Sequence, residues 1–542
     1  MSEIVEVSFM PMKILILGNF DGSNVENSQN LKVNKDNLQS VFSQLNPRLY
    51  MRVANKLTSE PKELNIDLIF TDMDSFYPGA IADQIDVVKE TVKVRKTLND
   101  LAEKQITLTE AKDVLLGSMV VASQIPDLVA VIEDHIKSGD EIGAQILDKA
   151  VTKLDSALSD QFDEILHCPK FQKLESSWRG LRLLLGNADF PDKVQFEILN
   201  VEKENLIERF DEQIFPQEYD DTCEVPLSVI LADFDLTQSA EDLNILKKMT
   251  EKASILQVAF ISSLATDFFG MRSILHLVAL PDLFSRLVSP TQSEWKNIMQ
   301  SQQGRWISLT MNRFLLRDLY GKDHEEAEIF DYTEKADASH PEKYLWGCPI
   351  WLMGIILARS FANTGSCLSI SGLGFGGEFA GLPTREFPKT RTEKIQIPVE
   401  TTLVDEKVWS FIHVGVTPLN GTDNANTVYF PLATNAYRSG GITLHSTLAY
   451  HLYIGHIFHR YYRLHQQIPG GSTPEQIAQF VRDKMYQLIA PYGGDNPEET
   501  VTVIVTPVEN ANKVYAVNIQ VKPKLQIESK DMEFTLQLQI QV

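Results

Sequence analysis

Apolar and polar residues recur along this chain with periods that assign elements before any other property is consulted. Val5, Val7 and Phe9 alternate with polar residues, the period of a half-buried strand, and Lys13-Ile-Leu-Ile-Leu-Gly18 reads as a second, more buried one. Leu64-Asn-Ile-Asp-Leu-Ile-Phe70 predicts a third strand, ending in the acidic turn Thr71-Asp-Met-Asp74. A helical stretch rich in Val, Lys and Glu then runs from about Ile81 to Leu101, so the first part of the chain reads as a small α/β unit. From Gln105 to Ser138 the pattern is less regular, and a boundary is placed there. Between Asp140 and His167 an amphipathic helix follows: Ile142, Ile146, Ala150, Leu154, Leu158 and Phe162 recur every fourth residue, with Leu147, Val151 and Ile165 widening the stripe. Such a stripe serves a partner or the protein's own core, the second being the commoner use.

The middle of the chain alternates helices with short apolar runs. Pro226-Leu-Ser-Val-Ile-Leu231 and Ile274-Leu-His-Leu-Val-Ala-Leu280 fit buried strands, with a helix over Asp242 to Val258 between them, which predicts a mixed α/β core. A Gly-rich loop spans Gly365 to Gly381, and extended, Pro-rich chain continues to Pro398. In the tail, Glu475 to Ile489 is amphipathic, with Ile477, Phe480, Val481, Met485 and Leu488 on one face. Three strands are predicted after it: Thr500 to Thr506, Val514 to Val521, and Glu533 to Val542. The last alternates without interruption, Phe534, Leu536, Leu538, Ile540 and Val542 being apolar and Thr535, Gln537, Gln539 and Gln541 polar. The sequence given thus reads as a strand at both of its ends.

Composition narrows the function classes. At 542 residues two to four packed units are expected, and 43% hydrophobic with 23% charged residues suits a globular protein with a large interior. A formal charge of −23 argues against a nucleic-acid binder, because neutralising phosphates needs an excess of Lys and Arg. Cys168, Cys223, Cys348 and Cys367 are scattered and form no C-x-x-C pair, so they read as reduced, buried small hydrophobes of a cytosolic protein. Met1 to Met10 carries Glu3 and Glu6 and lacks the basic region of a signal peptide. The most apolar stretch, Trp346 to Phe361, contains Arg359 and is short for a membrane span, so no membrane insertion and a cytoplasmic location are expected.

No motif reaches the threshold for chemistry. Gly372-x-Gly374-x-Gly376-Gly377 has the look of a phosphate loop, but such a loop needs a helix directly after it, and Pro383, Pro388 and Pro398 forbid one. His456 and His459 stand one helical turn apart and could share a metal. No acid lies between His451 and His465, however, and Arg460 and Arg463 would repel a cation, so His and Tyr are read there as packing residues. Asp323-His-Glu-Glu-Ala-Glu328 lacks the second His of a zinc-protease motif and reads as a solvated loop. Neither a catalytic residue, a metal nor a cofactor is expected.

Two ordered sets of residues carry a family resemblance. Lys32-Val-Asn-Lys-Asp-Asn-Leu-Gln-Ser40, Asn46-Pro-Arg-Leu49, Val53-Ala-Asn-Lys-Leu57, Asp67-Leu-Ile-Phe70 and Met73-Asp-Ser-Phe-Tyr-Pro78 resemble the small sheath subunit of type VI secretion systems (TssB, or VipA). Ile165-Leu-His-Cys-Pro-Lys-Phe-Gln-Lys-Leu-Glu-Ser-Ser-Trp-Arg-Gly-Leu181 resembles the signature of the large subunit (TssC, or VipB). Trp295 with Arg305 to Tyr320, Tyr344-Leu-Trp-Gly347, Gly376-Gly-Glu-Phe-Ala-Gly-Leu-Pro383, Thr392-Glu-Lys394 and Val521-Lys-Pro-Lys-Leu-Gln526 continue that series. The usual subunits are separate polypeptides; here they look fused, and shortened at the join.

The resemblance implies a contractile-tail-sheath-like α/β (mixed α+β) fold with terminal strands exchanged between protomers. It divides the chain into a small-subunit-like region (1–104), a shortened junction (105–139), a large-subunit-like body (140–470) and a C-terminal helix and strand-exchange region (471–542). It implies a helical homopolymer around an inner tube of Hcp-like rings, whose contraction drives that tube through a target membrane, with baseplate components as further partners. A ClpV-type unfoldase is also implied, although in the familiar arrangement it grips the beginning of the large subunit, the part shortened here. The sheath of a phage-tail-like or extracellular contractile injection system is the alternative. Within this frame Val5, Val7, Phe9, Phe534, Leu536, Leu538 and Ile540 are expected to carry strand exchange, the alternative being pairing inside one protomer. Gln476, Gln479, Arg482 and Asp483 form the candidate inner-tube face of the 475–489 helix, and Phe171, Leu174, Trp178 and Arg179 the signature core.

Overall fold

The computed structural model describes residues 10–22, 30–138, 141–220, 223–284, 287, 293–321, 330, 332–390, 392–465, 467–489, 492–493, 496–508 and 513–541. The strand expected at Val5, Val7 and Phe9 lies outside them, as does the acidic run Asp323–Glu328. Met12–Gly18 forms β1, all seven residues of which are buried. Ile14 and Ile16 enter one apolar cluster and Leu15 and Leu17 the other, so this strand needs cover on both faces. Asn30–Val33 is β2, and Arg48–Ala54 (β3) with Glu63–Ile69 (β4) makes an antiparallel hairpin that presents Leu49, Met51, Val53, Ile66 and Leu68 to the core.

After a short helix over Pro78–Ala82 come α1 (Asp86–Ala102), α2 (Leu108–Leu116), α3 (Met119–Gln124), α4 (Pro126–Ser138) and α5 (Ala144–Leu166). The second half of α1 and the first half of α5 close with the three short helices around their own apolar cluster, which includes Val94, Leu98, Leu115, Val121, Ile132, Leu147 and Leu154. The irregular stretch from 105 to 138 is therefore helical, its periodicity broken because each helix is only two or three turns long. Farther along α5, Leu158, Phe162 and Ile165 enter the main core, so the four-residue stripe faces the protein's own interior except at Ile146, which is exposed.

Helix α6 (Pro169–Asn187) leads into the central sheet, whose remaining strands are β5 (Val194–Asn200), β6 (Leu227–Leu236), β7 (Ala259–Leu264), β8 (Ile307–Met311) and β9 (Val416–Pro418). The order is β9-β8-β7-β6-β1-β5-β2, parallel throughout except for β2 at one edge. Strand β1 thus lies between β5 and β6, and the first part of the chain gives its buried strand to the central sheet, keeping only the β3–β4 hairpin as a sheet of its own. A continuous apolar run flanked by few residues of its own must borrow both neighbours from farther along the chain.

Helix α7 (Ala240–Leu256) covers one face, and α8 (Ile350–Thr364), the most apolar stretch, is buried on the other. It crosses α6 where Gly180 meets Trp351; a Cβ at residue 180 would stand 2.3 Å from the indole nitrogen, so only glycine permits this approach. Ile274–Leu280, expected as a strand, instead begins a short helix over Ile274–Val278, capped by the Ser273 hydroxyl accepting from the His276 amide. Ile274 and Leu277 are buried while Leu275 is 45% exposed, a three-residue spacing that a short apolar run does not reveal in sequence.

The chain closes with α9 (Leu448–His465), α10 (Pro474–Leu488) and an antiparallel sheet of β10 (Val501–Pro507), β11 (Val514–Val521) and β12 (Phe534–Gln541), in the order β10-β11-β12. Among the described residues no helix is long and apolar enough to cross a membrane. Of the four cysteines expected inside, Cys348 and Cys367 are buried, whereas Cys168 and Cys223 are only half-buried.

Candidate assembly site

The two motif sets meet at Trp178. Its helix presents Phe171, Leu174, Trp178 and Leu181 to one side, all buried, and the indole Nε1 donates to the Phe20 carbonyl at 2.8 Å. The Trp178 ring stands 4.1 Å from Phe42 and 5.5 Å from Phe20 (centroid to centroid), while Phe171 packs with Phe70 and Phe76. Phe42, Phe70 and Phe76 follow or belong to the small-subunit-like motifs, so the large-subunit-like signature is the surface on which the N-terminal part is built. Expected core residues Phe171, Leu174 and Trp178 sit there together; Arg179 does something else.

Arg179 enters a buried ionic network that the sequence reading missed. Its Nε donates to Glu175 Oε1 at 2.7 Å, and Arg317 Nε donates to the same oxygen at 3.2 Å. Arg317 also holds Glu334 through two bonds, of 2.6 and 3.2 Å, while the Tyr320 amide and His167 Nε2 contact that carboxylate at 3.0 and 3.1 Å. Both carboxylates are fully buried and the Arg317 side chain is 9% exposed. The Arg179 guanidinium lies 5.4 Å from the ring of Tyr77, from the small-subunit-like set, and donates to the Tyr320 hydroxyl at 3.2 Å. Only the four-residue spacing of Glu175 and Arg179 hinted at this in the sequence; Arg317, Tyr320, Glu334 and His167 come together through the tertiary fold alone.

The network sets an acid limit on stability. Burial pushes the Glu334 carboxyl up, but Arg317 and then His167 outweigh it and hold it at about 2, below its ordinary 4.5. In α9, burial and the charge of Arg305 push His451 from 6.5 down to about 3, and burial with Arg460 does the same to His456. In all three the unfolded chain binds protons that the folded chain refuses, so stability present near neutrality is lost as pH falls, first through the His range and then through the Glu range. The thermal unfolding midpoint is expected to drop steadily from about pH 7 to about pH 3, and Glu334→Gln to flatten the lower part of that curve. A midpoint constant over that range would contradict it.

His451, His456 and His459 of α9 act as packing groups. The His456 ring lies 5.1 Å from Phe361, the His451 ring 5.4 Å from Trp306, and His459 Nε2 contacts the Leu256 carbonyl at 2.9 Å.

The C-terminal sheet has one covered face and two outer edges. Phe534, Leu536 and Ile540 are buried and Leu538 is half-buried, all within the chain's own core. Tyr450 donates to the Glu533 carbonyl at 2.7 Å, and the Phe534 ring meets Tyr453 at 6.4 Å. Strand β12 pairs with β11 along its whole length, so the structure shows pairing inside the protomer for this strand. Among the described residues neither β10 nor β12 has a strand on its outer side, and Ile504 of β10 is 58% exposed. On α10, Ile477, Val481, Met485 and Leu488 are buried. Gln476, Gln479 and Asp483 face solvent, Gln479 donates to Asp483 at 2.9 Å, and Arg482 reaches Glu498 at 3.7 Å.

A seven-stranded mixed sheet thus joins both motif sets, and the same chain carries a small sheet with two open edges. Residues 148–436 match the family described as EvpB/VC_A0108, tail sheath N-terminal domain (VipB), and residues 3–124 match Type VI secretion system, VipA, VC_A0107 or Hcp2. The chain belongs to the VipB tail-sheath family and carries a VipA segment ahead of it in the same polypeptide. It is 28% identical over 298 residues to type VI secretion system sheath protein TssC1 of Pseudomonas aeruginosa, which covers 52% of this chain and 60% of that protein. It is 28% identical over 89 residues to sheath protein TssB1 of the same organism, covering 16% of this chain and 51% of that protein. The chain therefore spans only part of the length of each relative. Solved structures with a partial likeness include the anti-feeding prophage helical sheath in its contracted state (TM-score 0.34, 9% identity, covering 61% of this chain and 72% of that one). Another is the sheath tail protein of Desulfitobacterium hafniense (TM-score 0.31, 9% identity, covering 58% and 56%).

Proposed function

We propose that this chain is a structural, non-enzymatic protomer of a cytoplasmic contractile sheath, which polymerises helically around an Hcp-like inner tube and contracts to drive it through a target membrane. The observation that carries this reading is the match of residues 148–436 to the tail-sheath family. Fusion of the two subunit-like parts gives them a one-to-one ratio, and their shared sheet makes them one body during any movement. Baseplate components and a ClpV-type unfoldase are further partners in this reading, and the exposed Gln476, Gln479 and Asp483 of α10, with the half-buried Arg482, are the proposed inner-tube contacts.

Protomers are stitched through the open edges of the C-terminal sheet, with main-chain groups of β10 or β12 pairing to a neighbour's strand, residues 3–9 included. The apolar side chains of β12 already serve their own core, so the adhesive is the backbone edge. Electron microscopy of the expressed chain is expected to show tubes of regular helical repeat. Excess peptide of sequence Glu533–Val542 is expected to cap growth and shorten them, while a scrambled peptide does nothing. A chain that stays monomeric at high concentration would sink the sheath reading; tubes indifferent to the peptide would sink only the edge-pairing mode.

A further inference from the structure

Buried polar atoms without a partner gather at one place on the chain. Arg305 Nε, Thr443 Oγ1 and His445 Nδ1 are all buried, and none has a hydrogen-bond partner among the described residues. The segment 434–437 brings them together. Its Ala436 amide donates to the Gly304 and Ile307 carbonyls at 3.2 and 2.7 Å, which seats Arg305 beside it with the guanidinium 4.6 Å from the Tyr437 ring. On the other side the Asn435 side-chain amide donates to the His445 carbonyl at 2.9 Å. The His445 ring then lies 5.0 Å from Tyr450 and 6.1 Å from His451. Burial, and after it the charge of Arg305, hold the His445 imidazole below its ordinary 6.5, so the two side chains share one electrostatic neighbourhood.

No acid balances this cation. Arg305 has no carboxylate partner among the described residues. The acid whose charge reaches the cluster is Glu533, felt at Tyr450, and its carboxylate is engaged by Gln520 at 2.5 Å and Lys522 at 3.4 Å. Arg438, next along the chain, is spent on the Ile412, Asn435 and Tyr437 carbonyls and the Thr434 hydroxyl. Arg305 and Tyr437 are half-buried and Ser439 is exposed, so the Arg305 side of the cluster lies toward solvent. An unpartnered buried polar atom is costly, and three together call for a missing partner. Arg305 Nε–H can only donate, while the Thr443 hydroxyl and a neutral His445 ring can each place a proton on the unpartnered atom. Acceptor oxygens carrying negative charge would serve all three and give Arg305 its counter-charge.

We propose that Arg305, Thr443 and His445 form a seat for an anionic oxygen group, supplied either by a phosphate-class oxyanion from solution or by a carboxylate of a second copy. The second source rests on the sheath reading; the first does not. The seat adjoins the C-terminal sheet, because Tyr450, against His445, donates to the Glu533 carbonyl at 2.7 Å. An occupant therefore steadies the body under the strands whose edges are open.

The test titrates inorganic phosphate into the dispersed full chain, with ionic strength held constant by chloride. Broadening of the phosphorus resonance is expected to saturate, and the affinity to fall at least about tenfold in Arg305→Met, which removes charge and fork together. His445→Phe keeps the ring beside Tyr450 and is expected to weaken binding about threefold; it carries the comparison if Arg305→Met lowers the melting temperature. Arg305→Lys, which keeps the charge, should recover part of the loss. Phosphate binding that is absent, or indifferent to both variants, rules out the solution source. The carboxylate source then requires Arg305→Met, with its melting temperature held, to raise the concentration needed for tubes at least about tenfold. Tubes unimpaired in that case overturn the seat while the sheath reading stands. If the wild-type chain forms no tubes, the sheath reading falls, and the phosphate titration alone decides the seat.

Discussion

Arg317→Met is expected to destabilise the chain by about 3–5 kcal/mol, the cost of leaving buried charge without its partner. Methionine keeps the volume of the stem but removes the fork that serves two fully buried carboxylates, Glu175 and Glu334. Arg179 would remain for the first and His167 for the second, which is why the loss stops short of two stranded ions. Glu175 has no slack to absorb it, since its Oε2 is already buried without a hydrogen-bond partner. Arg317→Lys should recover only part, because an ammonium cannot make the paired bonds to Glu334. Replacing Arg317 and Glu334 together by apolar residues should cost less than Arg317→Met alone. Urea unfolding of the three variants measures this; a loss below about 1 kcal/mol for Arg317→Met would mean that water reaches the network.

Trp178→Ala is expected to cost a comparable amount, about 3–5 kcal/mol, by opening a cavity among Phe20, Phe42 and Leu174 and orphaning the Phe20 carbonyl. Trp178→Phe keeps most of the ring packing and should lose about 1 kcal/mol with the indole hydrogen bond. The consequence reaches beyond local packing, because this ring joins the small-subunit-like part to the large-subunit-like helix α6. If the two parts are one cooperative body, Trp178→Ala shifts a single transition. Two separated transitions, the N-terminal part melting first, would show that β1 in the shared sheet does not suffice to couple them.

Much of the architecture was legible where a single period persisted. The fully buried Lys13–Gly18 run, the stripe of α5, the apolar face of α10 and the alternation of β12 all appear close to their expected bounds. Ile274–Leu280 was misread because a seven-residue run with six apolar positions fits either period, and burial of Ile274 and Leu277 alone became visible only in the fold. The Gly-rich loop was correctly denied a following helix, since strand Glu378–Ala380 comes next, yet nothing in its sequence told that Phe375 points to solvent. The ionic network was nearly invisible, as its members are spread from His167 to Glu334 and charged residues are ordinarily expected outside.

By itself, then, the sequence determined the apolar face and the type of each element where one period holds, and, through two ordered motif sets, the family. Only the tertiary structure decided what each buried face is buried against. It placed β1 between β5 and β6, gave the apolar side of β12 to its own protomer, and brought Arg317 to Glu175 and Glu334. The reason is physical: hydrophobic periodicity records removal from water, which is non-directional, whereas partner choice depends on long-range packing and hydrogen-bond geometry that no local pattern encodes.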